Sequence, residues 1–116
     1  MKALKNEVIL HVNNIDSCRI FYREIVGFGQ PVLDSNFRCE FEIPSHQRLI
    51  LKEESGQTTP QNRTEWSFAS MEPQALALRI HRYGFRTETL SDGSCRCFDP
   101  EGNPFVIHSI EETQQE

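Results

Sequence analysis

The sequence predicts an α+β chain built from one unit used twice: a strand, a helix and then three strands. Three observations predict it. The 116 residues fit one domain. The hydrophobic period shifts from alternation to about 3.6 and back, once in each half. The punctuation also recurs, because Gly27-Phe28 and Gly84-Phe85 each close a helical stretch. The modules are placed at about 6–53 and 65–110, with a polar linker at 54–64. A half alone is too small to close a core well, so paired sheets with a helix behind each are expected.

Each element has its own signal. Val8–Val12 is apolar and β-rich, so it reads as a strand. Asn13-Asn14 offers a helix cap, and Ile15, Cys18, Phe21, Tyr22 and Ile25 then fall at helical spacing up to Gly27. Strands are predicted at Gln30–Leu33, Phe37–Ile43 and Arg48–Lys52, with turns at Asp34-Ser35-Asn36 and Pro44-Ser45-His46. The stretch from Glu54 to Thr64 holds no apolar residue that could anchor it. Trp66–Met71 reads as the next strand, and Pro73 suits a first helical turn. Leu76, Ile80 and Tyr83 supply that helix's stripe. Strands are predicted again at Phe85–Leu90, Ser94–Phe98 and Pro104–Ser109. Asp34 is matched with Asp92, and Arg38-Cys39 with Arg96-Cys97. The stripes Val8/Leu10/Val12 and Phe37/Cys39/Phe41 are the expected core, with His46 and His81 in solvent.

Composition excludes several classes. The net charge of −5, with acids and bases mixed, argues against non-specific nucleic-acid binding. No apolar run approaches a membrane span, and the first residues have no signal-peptide core. A cytoplasmic location is therefore expected, with Cys18, Cys39, Cys95 and Cys97 as free thiols. The Asn62-Arg63-Thr64 sequon would matter only in a secreted protein.

Two segments carry a resemblance to a known family. Residues 14–28, from Asn14-Ile15-Asp16-Ser17 through Phe21-Tyr22 to Gly27-Phe28, are similar to a "D-L-x-x-S-x-x-F-Y-x-x-x-L-G-F" pattern. Phe98-Asp99-Pro100-Glu101-Gly102-Asn103-Pro104-Phe105 is similar to "F-x-D-P-D-G-N-x". In that order, inside a duplicated module, they resemble the vicinal oxygen chelate superfamily. It includes glyoxalase I, the bleomycin- and fosfomycin-resistance proteins and the extradiol dioxygenases. The resemblance implies a cupped mixed sheet, the glyoxalase/bleomycin-resistance fold, whose modules enclose a cavity. Asp99–Asn103 itself reads as a tight turn, with Pro100 fixing φ and Gly102 allowing it to be positive.

In metal-dependent members, His or Glu on the first and last strands of each module hold a divalent ion that chelates substrate oxygens. Here those positions fall on Glu7, Trp66, Ile50 and Val106, and only Glu7 can ligate. Another set is conceivable from alternation, with Glu7, Ile9 and His11 on one face and Val106 and His108 on another. Glu7, His11 and His108, with Glu40 or Glu42 near, would suit iron or zinc. Trp66 has two readings, a space-filler between modules or an aromatic wall for a planar ligand.

The expected function is metal-independent binding or sequestration of a small organic ligand, of the bleomycin-resistance type. Glu7, Ile9, His11, Arg38, Glu40, Trp66, Val106 and His108 would line the cavity. The alternative is a lyase or dioxygenase with an atypical divalent-metal set; a third reading is a vestigial cavity in a protein that acts by association. The resemblance also implies a homodimer with two equivalent cavities, with module exchange open.

Overall fold

The structure is a computed structural model, and it describes residues 6–54 and 65–110. The element order is β1 (Asn6–Val12), α1 (Ile15–Ile20), β2 (Leu33–Asp34), β3 (Arg38–Ile43) and β4 (Gln47–Glu53), followed by β5 (Trp66–Ser70), α2 (Pro73–Arg82), β6 (Thr87–Thr89), β7 (Cys95–Phe98) and β8 (Pro104–Ser109). The strands form two four-stranded mixed sheets, ordered β1-β4-β3-β2 and β5-β8-β7-β6. In each, the first strand runs parallel to the last, and the rest of the ladder is antiparallel.

Local chemistry explains the ends. The Asn14 side chain accepts from the Ser17 amide and caps α1. α1 runs on into a π-helical turn at Phe21–Ile25, where the Val26 amide reaches the Phe21 carbonyl at 2.9 Å. That wide turn absorbs one more residue than α2 carries before its glycine. Gly27 and Gly84 then take φ of +93° and +99°, which closes both helices as the sequence predicts.

Two strands depart most from those predicted. Gln30–Leu33 shrinks to Leu33–Asp34, because Pro31 has no amide to give a ladder. Phe85–Leu90 shrinks to Thr87–Thr89. Two core assignments also fail. Phe37 precedes β3 and is 68% exposed, and Tyr83 lies at the C-terminal cap of α2, outside its buried stripe. Ala77 is buried with Ile80 instead. Of the linker, residues 55–64 lie outside the described residues, as do the sequon and the polar end from 111.

The inner faces of both sheets share one core. The Tyr22 ring touches Phe41 of β3 on one side, and Trp66 and Phe105 of the second sheet on the other. Phe21 meets Phe85 at 4.8 Å, and Phe28 meets Phe68 at 5.1 Å. The turn predicted from Asp99–Asn103 ties this seam together. Asp99 is buried and accepts from the Glu101 and Asn103 amides, the Asn103 side chain and the Tyr22 hydroxyl, at 2.8–3.0 Å. The Glu101 carboxylate accepts from the amides of Asn13 and Asn14, across the two modules.

Candidate functional site

With the inner faces committed to a core, the outer face of each sheet is the surface left for function. On β1, Val8, Leu10 and Val12 are buried, so Glu7, Ile9 and His11 point the other way. Register then extends the outer face: Glu7, Ile9 and His11 lie beside Arg48, Ile50 and Lys52, which lie beside Glu42, Glu40 and Arg38. Ile9 is 40% exposed, whereas Ile50 is only 2% exposed, although it stands apart from the main core cluster.

Charge pairing organises this face. Glu40 is 6% exposed, and its carboxylate accepts from Arg38 Nε at 2.6 Å and Arg48 Nη1 at 3.1 Å. Arg48 also reaches Glu42 at 2.5 Å, and its buried Nε has no partner among the described residues. Hydrogen bonds to Glu42 and Glu40 push the Arg48 guanidinium pKa up, which keeps it charged. His11 pairs through Nδ1 with Glu54, just past β4.

The second sheet's outer face carries Ser67, Ala69, Val106, His108, Arg96 and Glu88. Its central charged side chain is Arg96, opposite Val106. Arg96 donates to Glu65 at 2.6 Å and to Glu88 at 3.1 Å, and Glu88 also pairs with Arg86 at 2.7 Å. Hydrogen bonds from Arg96 and Arg86 hold the Glu88 carboxyl below its ordinary range.

Placement of the predicted residues is therefore uneven. Glu7, Ile9, His11, Arg38 and Glu40 share the outer face of the first sheet; Val106 and His108 share that of the second. Trp66 belongs to neither. It is 4% exposed and stacks on Phe105 at 5.2 Å in the seam, so it fills space between the modules, and the outer-face residue beside it is Ser67. Counting back from the two helix starts, Ile15 and Pro73, leads equally to Val8 and Trp66, both core positions. The matched cysteines also need correction. Cys39 pairs with Leu51 and Cys95 with Ile107, so Cys39 corresponds to Cys95 and not Cys97. Arg48 and Arg96 join the predicted residues on these outer faces; pairing on neighbouring strands reveals them.

The residues do not fit the metal that the fold family implies. Beside Glu7 on the outer face stands Arg48, and beside Ser67 stands Val106, neither of which can ligate. Among the described residues no three His, Cys, Asp or Glu converge to hold a metal ion. His11 and His108 sit on different sheets, with the shared core behind each. No described helix is long and apolar enough to cross a membrane.

Comparison with known proteins shows the fold. No family profile matches the chain, and no curated protein matches it. Solved structures do. An integron cassette protein from the mobile metagenome of the Halifax Harbour sewage outfall is 21% identical with a TM-score of 0.74, covering 94% of this chain and 100% of its own. The bleomycin-binding protein of Streptomyces verticillus, solved with copper(II)-bleomycin, is 17% identical with a TM-score of 0.71, over 96% and 99%. Lactoylglutathione lyase from Agrobacterium tumefaciens is 19% identical with a TM-score of 0.62, over 92% and 93%. The chain has the fold of the vicinal oxygen chelate superfamily.

Proposed function

We propose that this chain binds a small organic ligand without a metal, in a cup made when the outer face of one copy's first sheet meets the outer face of another copy's second sheet. The observation that supports this most is the outer face around Glu40. It combines a nearly buried carboxylate, two guanidiniums and an apolar strip of Ile9 and Ile50. Such a mixture of apolar wall and few convergent polar groups is what a ligand pocket needs. One copy would contribute Glu7, Ile9, His11, Arg38, Glu40 and Arg48; the other would contribute Ser67, Arg96, Val106 and His108.

The fold is shared with a bleomycin-binding protein and with a lyase. The donor set favours the first kind of role, because a Lewis-acid step needs ligands that Arg48 and Val106 do not offer. All four cysteines are free and buried, in keeping with a reducing, cytoplasmic setting.

Thermal unfolding with metal-free bleomycin, copper(II)-bleomycin and a panel of planar organic compounds tests the reading, alongside elemental analysis. A saturable rise in the midpoint, lost in Arg48→Ala, is expected. Stoichiometric metal in the purified protein, removed by His11→Ala or His108→Ala, would overturn it in favour of the metal-dependent enzyme.

A further inference from the structure

The repeat makes each module a control for the other. Val8 pairs with Leu49 and Trp66 with Phe105; the ladders then bring Leu51 to Cys39 to Asp34, and Ile107 to Cys95 to Thr89. α1 starts at Ile15 and α2 at Pro73, so Arg19 and Ala77 hold the same place, as do Asp16 and Gln74.

In the first module Arg19 fills the cleft between helix and sheet. Its Nε donates to Asp34 at 2.8 Å, its Nη2 to the Ser35 carbonyl at 2.6 Å and its Nη1 to Asp16. The side chain is only 14% exposed. In the second module the side chain stops at the Ala77 Cβ. A cleft of about 240 Å³, open to the surface, remains, lined by Gln74, Ala77, Leu78, His81, Thr87, Thr89 and Cys95. That is room for a small organic group and not merely one water. Both carboxylates that hold the guanidinium are gone from the lining, replaced by an amide and a hydroxyl. Gln74 spends its Nε2 on the Gly93 carbonyl at 2.7 Å, which leaves its own oxygen as an acceptor.

We propose that this cleft is a second small-molecule site, separate from the outer faces, and that it takes a small uncharged molecule bearing an amide or urea group. The place is that of the Arg19 guanidinium in the first module; the missing carboxylates remove the need for its charge. The site stands whether or not the outer faces bind anything.

Cys95 lies in the lining and reports on it. Iodoacetamide is itself a small uncharged amide. It alkylates a thiol by forming a sulfur–carbon bond, expelling iodide and leaving the thiol proton to buffer. Peptide mapping of the native protein should show Cys95 modified at least about tenfold faster than Cys18, Cys39 and Cys97. Acetamide should slow Cys95 alone, and iodoacetate, with the same reactive carbon but a charge, should lose the preference. Ala77→Arg should fill the cleft and slow Cys95 at least about tenfold. Should that variant fail to fold, Thr89→Val should remove the acetamide protection. Modification of all four cysteines together, or a Cys95 rate indifferent to acetamide, would overturn the proposal.

Discussion

The seam between the modules and the outer faces both depend on paired carboxylates, but they pair them in opposite ways. At the seam Asp99 is buried among neutral donors: two amides, a side-chain amide and the Tyr22 hydroxyl. Burial outweighs these bonds and pushes its pKa up from the ordinary 3.8. On the outer face of the second sheet, Glu88 is paired with Arg96 and Arg86, and its pKa is pushed down from 4.5. The difference separates two tasks. Neutral donors hold a carboxylate where the fold needs a fixed joint, and guanidiniums hold one where the surface must stay charged and open to exchange partners.

The largest expected effect is at the seam. Asp99→Ala strands several buried donors, so urea unfolding should show a loss of at least about 2 kcal/mol. Glu40→Ala comes next. It removes a nearly buried partner from two arginines, and a loss of about 1–3 kcal/mol is expected by the same assay. Arg96→Ala, on the more exposed equivalent of that position, should leave the urea midpoint almost unmoved. Equal losses for Glu40→Ala and Arg96→Ala would break the comparison between the two faces.

The two carboxylates should also respond to pH with opposite sign. Asp99 has a raised folded value, so its contribution is complete below 3.8 and is lost as pH rises through that folded value. The stability gap between the native protein and Asp99→Asn should therefore narrow from acid toward neutral pH. Glu88 has a lowered value, so its smaller contribution is present above 4.5 and lost as pH falls. The gap against Glu88→Gln should close in acid. Gaps that move together would mean that the pairing chemistry does not set the response.

Much of this was legible in the residues. Repeated punctuation places both helices and every strand but β2, which keeps only Leu33 of the predicted stretch, and Pro104–Ser109 matches the predicted strand end to end. Alternation on β1 predicts that Glu7, Ile9 and His11 share one face, as they do. Trp66 lies on the inner face and Ser67 on the outer one, because alternation inverts with a slip of one. The π-helical turn has no sequence signature here, so the residue it absorbs was invisible. Arg19 and the cleft it fills were also hidden, because helix-to-sheet contacts follow from packing and not from period. The seam contacts of Asp99 and Glu101 join residues far apart in the chain, which a turn motif alone does not reveal.

The proposed cup requires two copies to meet through unlike faces, one centred on Glu40 and the other on Arg96. Sedimentation equilibrium of the untreated protein at micromolar concentration tests it most directly. The account predicts a single species at twice the 13.5 kDa chain mass, with dissociation promoted by Arg96→Glu. A clean species at the chain mass itself would contradict it.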